Sequence, residues 1–405
     1  MNVLFLTQVL PYPLDAGPKV RAYYVLRHLA QGHRVTLASF VRPSDSPTAL
    51  AHLREVCAEV ITSPMPRARW RDALAVGRSA LRGEPVLIAR DWAPAMAGRL
   101  REVAAAQRFD VIHADQVWMA PYALAAHAAA PAAPRLVLDQ HNAVYLIPQR
   151  LTHAARGLRR LFWRREAALM ARYETRTCLA FDQVVTVSDP DQQALLALYP
   201  QPPRPAFPPP IPICIDAQAA PSAAPAADSP GLLFLGGMHW PPNAEGVRWF
   251  VREALPAVQA QVPGAVFYAI GRQPPADVTA QAGVVAPGYV DDPTAYWAKS
   301  QVFVVPLLAG GGMRVKILDA WARGVPVVST TIGAEGLAYR DGVNLLIGDT
   351  PAALAEAVAR VLSDPALAAR LAEAGRRTAL THYDWRVIYS AWDAVYQPAA
   401  EVGAA

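Results

Sequence analysis

The sequence predicts an α/β chain built from two doubly wound, parallel-sheet domains, and three observations carry that expectation. Short apolar runs alternate with helix-period segments along most of the 405 residues, the rhythm that parallel strands with right-handed crossovers produce. The rhythm stops once, at residues 200–231, where 11 prolines exclude a helix or a central strand and leave a stiff connector. Hydrophobic residues make up 53% and charged residues 18%, enough to fill large cores and too apolar for a disordered chain or a coiled coil.

Taken in order, Val3–Leu6, Arg34–Ala38, Val111–His113, Leu136–Asp139 and Gln183–Val187 read as strands of the first domain. Helical periodicity lies between them at Lys19–Ala30, Ala93–Ala106 and Leu158–Leu179. Past the connector, Leu232–Leu235, Ala265–Ile270, Val302–Pro306 and Val325–Val328 are strand-like. Helices are expected at Ala244–Gln261, Met313–Ala322 and Ala352–Leu362. A last helix, Tyr383–Tyr396, would place Trp385, Tyr389, Trp392 and Tyr396 in one aromatic stripe that must dock on something, with the first domain as the expected surface. The expected division is 1–205, 206–381 and a terminal helix in 382–405.

The opening MNVLFLTQVLPYP has no basic leader and reads as a buried strand rather than a signal peptide. No apolar run approaches the roughly 20 residues that span a bilayer. Cys57, Cys178 and Cys214 are odd in number and far apart, which excludes a disulfide framework or a zinc site made of cysteine alone. A soluble, cytoplasmic chain is expected.

Net charge is +5, unevenly spread: residues 1–205 hold 25 basic against 16 acidic side chains, and residues 206–405 hold 13 against 17. A basic first half suits an anionic partner. No nucleic-acid-binding module is recognisable, so nucleic acid is not expected. The segment from Gly157 to Arg176 concentrates Arg159, Arg160, Arg164, Arg165, Arg172 and Arg176 beside Leu158, Leu161, Phe162, Leu169 and Tyr173. It reads as a solvated basic face on a packed helix, or as a peripheral attachment to the anionic inner face of the plasma membrane.

The most informative stretch is VVPLLAGGGMRVKILDAWARGVPVVST, residues 304–330, which reads strand, glycine loop, helix, strand. Gly310, Gly311 and Gly312 let backbone N–H groups approach a ligand, and the helix after them presents its positive dipole end. Arg314 and Lys316 in the first turn oppose that dipole, an arrangement that makes sense if an anion such as a diphosphate lies above them. Asp319 could accept hydrogen bonds from ribose hydroxyls, or could simply pair with Lys316 three residues earlier. Bottom-up, this is a nucleoside-diphosphate pocket.

That stretch resembles the donor-binding motif of bacterial family-4 glycosyltransferases of the GT-B fold, most like the exopolysaccharide-type sugar transferases that read GGG-x-R-x-K-x-L-E-A followed by G-x-P-V-V. Other segments resemble the same family in the same order. VLFLTQVLPYPLDAGPKVRAYYVLRHLA is similar to its first strand, glycine loop and helix. LLFLGGMHWPPNAEGVRWF from Leu232 is similar to the start of the donor domain. GYVDD from Gly288 is similar to the loop that meets the nucleobase, and PICID from Pro212 stands where the family usually has P-N-G-V-D. The resemblance implies two Rossmann-like domains facing each other across a cleft, with a C-terminal helix crossing back to the first. It implies a metal-independent, retaining hexosyltransferase acting in polysaccharide or glycoconjugate synthesis, without a cofactor because the nucleotide-sugar is a co-substrate.

The site residues it implies are these. Gly17, Gly237, Tyr289, Val290, Gly310, Gly311, Gly312, Met313, Arg314, Lys316 and Asp319 bind the donor. His141, as a neutral imidazole facing the transferred sugar, acts with Arg314 and Lys316 in the chemistry. Lys19, Arg21 and His113 lie on the side of a carbohydrate or lipid-linked acceptor. Asp319 matches the second residue of the family's E-x7-E pair, one methylene shorter, and the first falls on Gly311. The basic residue that the family has after that glycine loop is not evident in Gly237–Asn243. Two alternatives remain, a nucleotide-sugar epimerase on the same fold and a binding protein that has lost catalysis.

Overall fold

The structure is a computed structural model that describes every residue except 66, 155, 200–205, 223–229, 311 and 398–405. The chain divides into two compact units: Met1–Ile213 together with Ile388–Ala405, and Cys214–Val387.

The first unit carries a six-stranded parallel sheet of β1 (Asn2–Thr7), β2 (Arg34–Val41), β3 (Glu59–Pro64), β4 (Val111–Asp115), β5 (Arg135–Gln140) and β6 (Gln183–Thr186), in the order β3-β2-β1-β4-β5-β6. The second repeats that order with β7 (Gly231–Leu235), β8 (Val266–Ile270), β9 (Val284–Gly288), β10 (Val302–Val305), β11 (Val327–Ser329) and β12 (Leu346–Ile347), as β12-β11-β10-β7-β8-β9. Both orders reverse once, between β1 and β4 and between β7 and β10. In doubly wound sheets, ligands bind at the carboxyl ends of the strands that flank such a reversal.

The central strands are fully buried, which explains why they read as unbroken apolar runs, Leu4–Leu6 and Val302–Val305 among them. Four helices carry or brace the functional surfaces: α1 (Gly17–Gly32), α2 (Arg69–Arg82), α3 (Gly157–Leu179) and α4 (Val315–Ala322). The expected helix at 244–261 is interrupted by a π-helical turn at Phe250–Ala254 between Pro241–Trp249 and Leu255–Gln261.

The expected single helix Tyr383–Tyr396 is instead two short ones, Trp385–Ile388 and Ala391–Tyr396. The break falls where the chain passes from the second unit to the first. Trp385 N–H bonds to Ile215 O (3.1 Å), whereas Tyr389, Trp392 and Tyr396 are buried in the first unit. There Tyr396 Oη lies 2.6 Å from His113 Nδ1, His28 Nε2 lies 2.8 Å from Asp393, and the Arg135 guanidinium donates to the carbonyls of Val395 and Gln397. Of the proline-rich connector, residues 206–213 stay with the first unit: Ala206 bridges to Gln183, and the carbonyls of Ile211 and Pro212 accept from Arg21, whereas Ile215 already bridges to Asp384 in the second.

Candidate functional site

In the second unit, the loops after β7 and β10 meet at the sheet's reversal point. Gly310 (φ 133°) and Gly312 (φ 75°) hold the left-handed half of backbone space, which side chains disfavour; Gly311 lies outside the described residues. Arg314 caps α4, is buried, and donates to Gly312 O (2.5 Å) and Ile332 O (3.3 Å), so it braces the glycine loop from beneath. Met313 beside it is buried.

Lys316, one residue into α4, reaches back to the first loop. Its Nζ donates to Asn243 Oδ1 (3.1 Å) and sits 4.1 Å from the centroid of the Phe234 ring. A Cβ on Gly236 would come within 2.6 Å of that nitrogen, so the glycine is what admits the lysine. Asn243 in turn donates to Gly237 O (2.9 Å), tying the loop to the lysine. Burial, with Arg314 close by, pushes the lysine down to about 7. The cation that the segment Gly237–Asn243 lacks thus arrives from 73 residues away. Sequence reasoning misses Asn243, since an asparagine in a loop gives no signal of its partner.

Asp319 is half-exposed and pairs with Arg323 (3.1 Å), which settles the open question of its partner: it is not Lys316. At the end of β9, Tyr289 is exposed with the Arg272 guanidinium 4.7 Å over its ring, and Val290 is half-buried.

In the first unit, Gly17 opens α1, and Lys19 pairs with Asp15 (2.9 Å) in the same loop-to-helix turn. The carboxyl ends of β4 and β5 build a buried charge cluster. Asp139 accepts from Arg21 Nε (2.8 Å) and Nη2 (2.7 Å), and His141 Nε2 lies 2.9 Å from Asp115 Oδ1 and 3.7 Å from Asp139 Oδ2. Arg21 holds the Asp139 carboxyl far below the usual carboxylate range, against burial that pushes it up. Asp115, with burial dominant, moves up. The two acids outweigh burial at His141 and raise it to about 9. Donor atoms of Asp115, Asp139 and His141 lie within 4.8 Å of one another, a spacing that could suit a metal, but Arg21 and the imidazolium already balance both carboxylates.

The backbone around the cluster is equally specified. Gln116, directly after Asp115, adopts φ 69°, uncommon for a residue with a side chain. Glu174 on α3 accepts from the N–H groups of Val144 (2.9 Å) and Tyr145 (2.7 Å) and from Gln140 (3.0 Å), clamping the loop that carries His141. His141 is 6% exposed, and its Nδ1 meets no acceptor or donor among the described residues.

The structure corrects three expectations. Arg21 is not available to an anionic acceptor: it is fully buried, committed to Asp139 and to two backbone carbonyls. His113 is not on an acceptor side either, being fully buried with Nδ1 on Tyr396, and burial lowers it to about 3. His141 is an imidazolium rather than a neutral ring, because two carboxylates flank it.

Two family models match the chain, Glycosyltransferase Family 4 over residues 16–207 and Glycosyl transferases group 1 over residues 229–364. The phosphatidyl-myo-inositol mannosyltransferase of Mycobacterium leprae is 30% identical over 181 residues, 42% of this chain and 47% of that protein. The lipopolysaccharide core biosynthesis glycosyltransferase LpsE of Rhizobium meliloti is 34% identical over 108 residues, 26% of this chain and 31% of that one. The matched part spans about half the length of the first of these relatives and less of the second. Among solved structures, the sucrose-phosphate synthase of Thermosynechococcus elongatus superposes with a TM-score of 0.70 at 18% identity, covering 98% of both chains. HepE of Anabaena, in complex with UDP and glucose, superposes at 0.68 and 15% identity, covering 98% of this chain and 99% of that one.

Proposed function

The chain belongs to the family-4 glycosyltransferases of the GT-B fold, and from that premise we propose that it moves a hexosyl group from a nucleoside-diphosphate sugar to an acceptor hydroxyl, with retention at the anomeric carbon. The observation that carries the reading is the meeting of two glycine loops over Lys316 at the reversal point of the second sheet. Backbone N–H groups, the N-terminus of α4 and the lysine converge where a diphosphate would carry its charge. As the bond from the anomeric carbon to the diphosphate oxygen breaks, negative charge grows on the departing diphosphate. Lys316 meets that charge directly, and Arg314 keeps the loop in place to receive it, so no divalent ion is needed in this scheme.

Tyr289 and Val290 would lie against the nucleobase and Asp319 against the ribose. His141 Nδ1–H, closed to solvent and without an acceptor among the described residues, would turn to a hydroxyl of the transferred sugar. Polysaccharide or glycoconjugate assembly is the proposed setting, with a carbohydrate or lipid-linked acceptor. A lipid-linked acceptor would bring the chain to an anionic membrane through Arg159–Arg176, a helix whose exposed charged side chains are all arginines. No helix among the described residues is long and apolar enough to cross a membrane.

The test is a thermal-shift panel of nucleotide-sugars, then turnover of Lys316→Ala and Arg314→Ala with the stabilising donor. Losses on the order of a hundredfold or more are expected for the lysine, the scale of removing one preorganised charge stabiliser. Wild-type turnover by both variants at saturating donor would remove these residues from the leaving group.

A further inference from the structure

The first unit carries a surface that sugar transfer does not use. Helix α2 turns Ala75 and Ser79 inward, while Trp70, Leu74 and Leu81, at spacings of four and seven, stand 62%, 58% and 88% exposed along the opposite side. Helix α3 is joined to it by Arg165, whose guanidinium donates to Ser79 Oγ (3.0 Å) and Ser79 O (2.9 Å). The N-terminal part of α3 exposes Leu158, Leu161 and Phe162 among Arg159, Arg160 and Arg164. Both acids of α3, Glu166 and Glu174, are buried, so its outer face is purely cationic.

A pocket of about 410 Å³ opens between the two helices. Arg78 and Arg82 of α2 and Arg176 of α3 line it over a floor that includes Ile88 and Leu124, and Glu84 stands at one side. Arg78 Nε is shut off from solvent and meets no acceptor among the described residues. Three guanidinium groups around an apolar floor match a phosphodiester attached to a hydrocarbon chain. Neither a free phosphate, which needs no apolar floor, nor an acidic peptide, which needs no row of exposed leucines, uses both features.

We propose that α2, α3 and the pocket between them form a docking face for an anionic phospholipid bilayer, with the leucine and tryptophan side chains entering the acyl boundary and Arg78, Arg82 and Arg176 taking a lipid phosphate. This deepens the proposed lipid-linked chemistry and rests on that reading for its purpose. Docking itself is a property of the first unit's surface and is measured without any sugar donor.

The experiment is co-sedimentation of the full chain with vesicles of phosphatidylcholine alone and of phosphatidylcholine and phosphatidylglycerol in equal parts. Wild type is expected to partition at least about tenfold better onto the anionic vesicles, an advantage that salt removes. The double variant Leu74→Ser/Leu81→Ser should lose about tenfold or more of that partition. Arg82→Gln/Arg176→Gln should lose on the order of fivefold per arginine. Both variants change exposed side chains, and their circular dichroism and nucleoside-diphosphate titrations should match wild type.

Equal binding to both vesicle types, or variants that partition as wild type does, would overturn the proposal. So would a wild type that ignores vesicles and instead forms a dimer that Leu74→Ser/Leu81→Ser dissociates. Vesicle binding without any affinity for nucleoside diphosphates would leave the docking face standing and remove the transferase reading.

Discussion

Replacing Asp115 by asparagine probes the charge cluster behind His141. The imidazole Nε2 lies 2.9 Å from Asp115 and 3.7 Å from Asp139, and the two carboxylates lift the ring from 6.5 to about 9 against burial. At about 1.4 kcal/mol per unit, that rise corresponds to about 3 kcal/mol of favourable interaction with the charged ring. The folded protein keeps a proton that the unfolded chain sheds, so the stabilisation is whole below pH 6.5 and fades as the pH climbs through about 9. Glu174, raised to about 8, adds a slope of the same sign on the acid side of that window, while Lys316, lowered to about 7, adds one of opposite sign above neutrality. The wild-type curve is therefore not diagnostic, but the difference between wild type and Asp115→Asn is, because both contributions cancel in it. Asp139 remains near the ring in the variant, so the expected gap is about 2 kcal/mol near pH 6, shrinking towards pH 10. Urea titrations at steps across that range measure it. A gap that stays level from about pH 6 to about pH 10 would refute the assignment of a charged His141 held by Asp115.

The same geometry sets three further outcomes. A diphosphate over Lys316 should restore its charge, so nucleoside-diphosphate binding slightly above neutral pH is expected to take up a proton. Calorimetry in buffers of different ionisation enthalpy reads that uptake, and Lys316→Met should abolish it. Tyr396→Phe leaves buried His113 Nδ1 without its partner at 2.6 Å and should cost about 1–3 kcal/mol in denaturant midpoints, with nucleotide affinity unchanged. Gly246→Ala gains about 1 kcal/mol of helix propensity, yet its Cβ would lie 2.4 Å from Pro306 O, so a lowered melting temperature is expected; a raised one would show that the helix shifts freely.

The parts of this molecule that were legible in its sequence are those where burial is two-sided. β1, β7 and β10 are covered on both faces and appear as apolar runs. β3 alternates buried and exposed side chains and ends in Pro64, β9 alternates half-buried and exposed ones, and β12 is two residues long, so none of the three offers a run to read. The glycine loop and the two cations after β10 were legible because their residue types have few other uses together. Their partners were not: nothing local links Lys316 to Asn243, or Arg21 to Asp139, which are brought together only by the sheet. Arg21 misled because an arginine two positions after a lysine reads as solvent-facing, although the periodicity of Val20, Tyr24 and Val25 already placed it on the inner side of α1.

The return of the chain to the first unit has a consequence for how the protein is made. Residues 214–387 are contiguous and can pack as soon as they leave the ribosome. The other unit must wait, because Trp392 and Tyr396, which close over Arg21 and His113, come after the whole of the second unit in the chain. A fragment ending at Ile213 would leave the Arg21–Asp139 pair and His113 without their lid, whereas a circular permutant joining 388–397 ahead of Met1 would supply it from the start.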